Sequence, residues 1–359
     1  MNTPSQIFEE CIARFGRPLR SELPIATREA YDEVKERAED LINAARSHVP
    51  GLPPVHFDFI VNPGVNAVAF RAKDQFFIGM TTGLIFMLRL VIGRMLADPQ
   101  LFRQIGDPDC EAADLPFLTH YRPDAQAMLQ GNGLTTPRDP VRRSFAAFIQ
   151  DQALMFLIGH EIAHISRGHV GYLAHRRGLP YTFERVDPHS EEELRIERQC
   201  LEQDADRRSI MARMDSLRVT HLHGAKLPWA PDDPRASSFV RDWSVSLHIT
   251  FRLFGDSHFA AGSALDQFYP PLPYRHIYAQ MMALWTVEHA WDKSMSAALR
   301  PALRDARVET EAAFARIVGN EIQLDDDIDK EDLKAHTFRL QDYWNENLVE
   351  KLRPYSYEF

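Results

Sequence analysis

Asp151 to Val170 reads D-Q-A-L-M-F-L-I-G-H-E-I-A-H-I-S-R-G-H-V. Leu154, Phe156, Leu157, Ile158, Ile162 and Ile165 make this run apolar nearly all the way round at helical spacing, which predicts a buried helix. Inside it lies His160-Glu161-Ile162-Ala163-His164. Helix positions four apart project from one face a turn apart, so the two imidazoles can reach a single zinc ion. Glu161 sits about 100° round the helix, beside such an ion, where its carboxylate can take a proton from a water held there. The competing reading is a core helix with two hydrogen-bonded histidines. Two imidazoles and a carboxylate in an apolar segment need polar partners, however, and a metal satisfies both rings together.

Composition narrows the setting. The 359 residues, 45% hydrophobic and 26% charged, can bury one large domain or two smaller ones. A formal net charge of −10 with no basic stripe argues against nucleic acid as a partner and suits a basic peptide better. Three cysteines, Cys11, Cys110 and Cys200, are odd in number and widely spaced, which reads as reduced thiols in a cytoplasmic protein. Met1 to Arg20 holds no apolar core of signal-peptide length, so the chain is expected to stay in the cytosol. Phe76 to Gly93 approaches the length of a membrane span, yet Thr81, Thr82, three glycines and Arg89 fit a strand followed by a helix better. No stable membrane insertion is expected.

Along the chain, Thr27 reads as the cap of a polar helix from about Arg28 to Ser47, ended by Pro50-Gly51. Alternation at Val55, Phe57, Phe59 and Val61 predicts a strand, with further strands at Asn66–Phe70 and Gln75–Met80 around the Lys73-Asp74 turn. A small antiparallel sheet is expected, followed by a helix from Gly83 to about Ala97 capped by Thr81 or Thr82. Asp98 to Pro140 reads as a long loop, and Gly178 to Asp187 as another. Helices are predicted over Glu191–Met214, Ser237–Phe254, Tyr274–Trp291, Pro301–Val318 and Leu340–Leu352. The acidic run Asp325 to Asp332 lacks the glycine and spaced glutamate of a calcium loop and reads as a solvated linker.

A catalytic zinc site takes three protein ligands and keeps a fourth position open. His169 is a nearby candidate, but an astacin-like pattern needs glycine and histidine three and six residues after His164, where Arg167 and Val170 stand. Glu202-Gln203-Asp204-Ala205-Asp206 offers carboxylates at i and i+4 beside apolar Leu201 and Ala205. On residues alone this stretch is equally a solvated face paired with Arg198 and Arg207. If it faces inward, Glu202 is the third ligand and Asp206 the outer carboxylate that orients a ligand histidine.

His160-Glu161-x-x-His164 followed by Glu202-x-x-Ala205-Asp206 resembles the zinc site of the gluzincin metallopeptidases related to the CAAX prenyl protease and the HtpX-type peptidases. Asn66 to Phe70 and Phe76 to Leu84 are similar to that family's N-A-F-A strand and the strand and helix start after it. Tyr269-Pro270 through Arg275 resembles its later H-P-x-x-x-x-R segment, with tyrosine in place of histidine. The pattern also resembles the phage-exclusion protease Lit, a compact soluble protein with His-Glu-x-x-His.

The resemblance implies an α+β, mainly α-helical fold, with zincin-like active-site helices and the small antiparallel sheet. The resemblance spans about Val55 to Tyr278 and does not reach the helices after Trp291, so three parts are expected: an N-terminal helical segment at 1–53, a metallopeptidase domain at 54–295 and a C-terminal helical extension at 296–359. One zinc (Zn2+) per chain is expected on His160, His164 and Glu202, with Asp206 outside them. Peptide-bond hydrolysis would use Glu161 as general base and Tyr269 or Arg275 at the oxyanion, on a protein or peptide substrate paired with the edge at Gln75–Met80. The rival expectations are a non-catalytic, zinc-stabilised helical protein that binds a partner, and a normally inhibited defence-type peptidase.

Overall fold

The computed structural model describes residues 3–20, 23–112, 117–118, 125–178, 192–230, 236–254, 270–291, 295–319 and 330–358. Helix α1 (Pro4–Ile12) starts with a capping box, in which the Thr3 side chain accepts the Gln6 N–H and the Gln6 side chain accepts the Thr3 N–H. Short strand β1 (Arg17–Pro18) leads to α2 (Ile25–His48). This helix begins earlier than expected, with Pro24 at the cap position and Thr27 buried inside the first turn. Strands β2 (Val55–Val61), β3 (Ala67–Ala72) and β4 (Gln75–Thr81) follow as the alternation predicts.

The sheet departs from expectation in its topology. Its order is β1-β2-β4-β3, and although β3 and β4 are antiparallel, β2 and β4 pair parallel, from Val55 opposite Phe76 to Ile60 opposite Thr81. The sheet is therefore mixed. The cause lies in β4, where Phe76 to Thr81 are all buried, a continuous apolar run that belongs between two neighbours. β3, carrying exposed Arg71, takes the edge. The tight turn that folds β3 back on β4 holds Lys73 and Asp74 at φ of +46° and +61°, the left-handed pair that matches strand twist.

One face of the sheet packs on α1 through Ile7, Phe8 and Ile12 against Ile60, Val68, Phe70 and Phe77. The other face turns Phe57, Phe59, Ile78 and Met80 into the main core. Helix α3 (Thr82–Ala97) grows directly from β4, with the Thr81 hydroxyl accepting the Leu84 N–H at its start. Thr81 Oγ1 also accepts the Asn66 N–H at 3.0 Å, tying the helix start to β3.

Between residues 98 and 139 the described parts are turns, a 3-10 turn at Pro108–Cys110 and the short helix α4 (Ala125–Leu129). Arg142, fully buried, organises the first part. Its guanidinium donates to the carbonyls of Leu96, Asp98, Leu101, Phe102 and Ile105 at 2.7–3.0 Å. Arg142 stands in the first turn of α5 (Pro140–Ser166), capped by Asp139, which accepts the Arg142 N–H at 2.8 Å.

Gly168, at φ +82°, separates α5 from α6 (His169–Arg177). Then come α7 (Glu192–Leu222), α8 (Ala236–Leu253), α9 (Leu272–Thr286, continued by a π-helical turn to Trp291), α10 (Met295–Val318), α11 (Lys330–Tyr343, continued by a π-helical turn to Leu348) and α12 (Val349–Leu352). α10 starts six residues before Pro301, and the last expected helix is instead α11 and α12 joined through that turn. The fold is mainly helical with one small sheet. The expected loop at 178–187 and the acidic run lie outside the described residues except at Gly178 and at Lys330 to Asp332, where α11 begins. No helix among the described residues is long and apolar enough to cross a membrane.

Candidate metal centre

α5 and α7 carry the site because they cross at very short range. Gly159 makes this possible: a Cβ there would lie 2.7 Å from the Ser209 Oγ of α7, and that hydroxyl donates to the Phe156 carbonyl at 2.8 Å. With the helices held so closely, Glu202 on α7 reaches the histidine face of α5. His160 and His164 are buried with ring centroids 4.6 Å apart and their Nε2 atoms at 3.0 Å. The Glu202 carboxylate spans both, Oε2 at 3.3 Å from His160 Nε2 and Oε1 at 3.4 Å from His164 Nε2.

These donors fit a metal. Two nitrogens bound to one tetrahedral zinc at about 2.0–2.1 Å lie about 3.3 Å apart, close to the observed separation. Two imidazoles and a carboxylate whose donor atoms lie within 4.8 Å of one another form the His160, His164, Glu202 group. Such a set leaves one side open for water or substrate. That side is a cleft lined by Glu161, Asn66, Ala67, Phe156, Leu157, Phe254 and Arg275. Glu161 is buried next to both ligand histidines.

Each of the two histidines is held from behind. Asp206 Oδ1 stands 2.9 Å from His160 Nδ1, and Arg275 donates to both Asp206 oxygens at 2.8 Å. His164 is held differently: its Nδ1 is 3.0 Å from Nδ1 of His169, whose Nε2 faces Asp204 at 3.3 Å. Arg167 grips Asp204 with Nε at 2.7 Å and Nη2 at 3.2 Å. Two carboxylates of α7, on opposite faces, thus back the two rings, Asp206 fixed by Arg275 and Asp204 by Arg167 and, at 3.0 Å, by Arg207.

The electrostatics follow from this. Burial works against a charged His160, but Asp206 and Glu202 outweigh it and hold the ring up to about 10. Burial pushes His164 down to about 4, against the pull of Glu202. For Glu202 burial is overcome by His164 and His160, which keep the carboxyl well below its usual range. Asp206 is likewise lowered, by Arg275 and His160 in spite of burial. Carboxylates that stay ionised beside imidazoles are suited to holding a cation.

Among residues expected from sequence, the structure brings together His160, Glu161, His164, Glu202, Asp206 and Arg275. Arg275 lines the cleft, yet two of its nitrogens are spent on Asp206, and its side chain lies over the Phe251 ring at 5.1 Å. Tyr269 lies outside the described residues. Sequence reasoning missed Arg167, His169 and Asp204. His169 was weighed only as a ligand, and Asp204 falls on the helix face opposite Glu202. Their signal was present, since a histidine and an aspartate in apolar surroundings need partners, but it named no partner.

Residues 29–182 match the model of peptidase family M48. Over that segment the chain is similar to the family. The match spans α2, the strands β2 to β4, α3, and α5 with His160, Glu161 and His164, and it stops before α7 supplies Glu202 and Asp206. No curated protein and no solved structure matches the chain.

Proposed function

We propose that this chain is a zinc-dependent endopeptidase. The observation that carries the reading is the convergence of His160, His164 and Glu202 at metal-sharing distance beside Glu161, in a chain whose histidine helix lies in the M48-matched segment. Zinc in that site would act as a Lewis acid, lowering the pKa of a water from about 15.7 towards about 7 and polarising a substrate carbonyl. Glu161 takes the proton from the attacking water and returns it to the leaving amine. Its burial and apolar neighbours exclude competing solvent. Asp206 fixes the Nδ1–H tautomer of His160, which leaves Nε2 free to ligate, and Arg275 holds Asp206 in place rather than the oxyanion.

Gln75–Met80, the substrate edge expected from sequence, is paired on both sides. β4 is central, so Gln75–Met80 has no free edge, whereas β3 is the edge strand and Asn66 and Ala67 at its start line the cleft. An extended peptide pairing with β3 would present its backbone across Glu161 without demanding a particular sequence. The free thiols Cys11, Cys110 and Cys200 accord with a cytoplasmic setting.

The test is Glu161→Gln, compared with the unaltered protein for zinc content, melting temperature and cleavage of a proteome-derived peptide library. Zinc and melting temperature should stay the same while cleavage disappears. Equal cleavage by both proteins would remove Glu161 as the base, and no cleavage by either, at full zinc occupancy, would favour a zinc-stabilised binding protein.

A further inference from the structure

Resting on the zinc reading above, the geometry points to a backing for the metal centre built from residues 344–358, with Trp344 and Glu358 as positioning residues. They would hold ligand His164 through Arg167, Asp204 and His169.

Six contacts place this segment against the end of the histidine helix and the neighbouring face of α7. The Tyr357 N–H donates to the Ser166 carbonyl at 2.8 Å. The Ser166 hydroxyl donates to Glu358 Oε1 at 2.6 Å, and Arg208 of α7 donates to Glu358 Oε2 at 2.8 Å. Glu358 therefore bridges α5 and α7 two residues beyond His164 and six beyond Glu202. Tyr355 packs on the helix junction so closely that a Cβ on Gly168 would come within 2.5 Å of its backbone. Trp344 lies over Arg167 at 5.8 Å and edge-on to His169 at 6.4 Å.

The physical consequence runs inward. Arg167 has Glu358 at 4.0 Å on one side and Asp204 at 2.7 Å on the other. Trp344 covers it, and a cation over an indole in a site shielded from water is held more firmly than one in solvent. A fixed Arg167 fixes Asp204, Asp204 sets which nitrogen of His169 carries the proton, and His169 then aims His164. Among the described residues the outer contact of the His164 ring is another ring, His169, so its orientation depends on what fixes His169.

The experiment uses the full chain loaded with zinc or with cobalt. Glu358→Gln and Trp344→Leu should each raise the dissociation constant about 10-fold in competition with a chelator, within the range typical of outer partners of metal ligands. The visible absorption of the cobalt form should shift, because it reports ligand geometry. Trp344→Phe, which keeps a ring over Arg167, should restore most of both. Ile12→Ala is the control for general loosening: Ile12 is buried where α1 packs on the sheet, with Phe8, Ile60 and Phe77, in a cluster that includes no residue of 344–358. It should lower the melting temperature and leave the cobalt spectrum alone. Unchanged affinity and spectrum in Glu358→Gln and Trp344→Leu would overturn the proposal, as would an equal spectral shift in Ile12→Ala. Failure of the unaltered protein to take up either metal would sink the zinc reading itself, and the backing with it.

Discussion

Asp206 offers the sharpest test of how the candidate metal centre is built, because its two neighbours both require an acceptor. Asp206 Oδ1 lies 2.9 Å from His160 Nδ1 and the carboxylate accepts from two Arg275 nitrogens at 2.8 Å, with His160 and Asp206 buried and Arg275 partly so. In Asp206→Asn the side chain keeps one acceptor and gains an NH2. Arg275 has only donors, so it claims the amide oxygen, and the NH2 turns to His160. His160 Nδ1 must then accept, which places the ring proton on Nε2, the atom aimed at the metal. Loss of an outer carboxylate usually costs about 10- to 100-fold in metal affinity, and the reversed tautomer puts this variant near the upper end, about 2.8 kcal/mol. Adding Arg275→Met should raise affinity, since the freed amide can flip its oxygen to His160. About 10-fold recovery is expected, although Arg275→Met alone weakens binding by leaving Asp206 without its cation. The assay is zinc competition with a chelator, with near-ultraviolet circular dichroism confirming the fold. If the double variant binds no tighter than Asp206→Asn, or Asp206→Asn binds like the unaltered protein, the tautomer argument is wrong.

Further outcomes test the scaffold. Arg142→Met should destabilise the protein by more than about 4 kcal/mol in urea unfolding, since five carbonyls lose a buried cationic donor at once. Gly159→Ala should force the Ser209 hydroxyl off the Phe156 carbonyl and weaken metal binding by moving α7. Gly159→Ala with Ser209→Ala should regain most of that affinity, because the nearest remaining contact, the Ser209 Cβ, is an ordinary 3.6 Å away. Burial raises Asp242 from 3.8 to about 6 in spite of Arg241 and the Trp229 N–H. The folded state thus keeps this proton where the unfolded chain has released it, so stability falls as pH rises through that window. Asp242→Asn should then gain on the order of 2 kcal/mol at pH 7 and almost nothing near pH 4, read from urea midpoints at the two values.

How far the sequence reached is clearest in these same residues. The strands β2 to β4 and the helices α3, α5 and α7 follow from periodicity, since alternation and 3.6-residue spacing are local properties. The mixed sheet did not follow, because strand order depends on which strand is buried on both sides. Nothing in the local sequence marks Arg142 for its role. Its five carbonyl partners lie 37 to 46 residues earlier, in a stretch without a period.

By itself the sequence determined that His160 and His164 share a helix face with Glu161 beside them, and that Glu202 and Asp206 share one on another helix. That much is dictated by helical geometry at spacings of four. Only the tertiary structure decided that the two faces meet, through the absence of a side chain at Gly159 against Ser209. It also decided that both faces of α7 are buried, so that Asp204, pointing away from Glu202, finds His169 and Arg167 instead of water. Helix spacing is set within one turn of chain, whereas the partner of each face is set by packing between segments tens of residues apart, and an unpaired buried carboxylate costs too much to be left to chance.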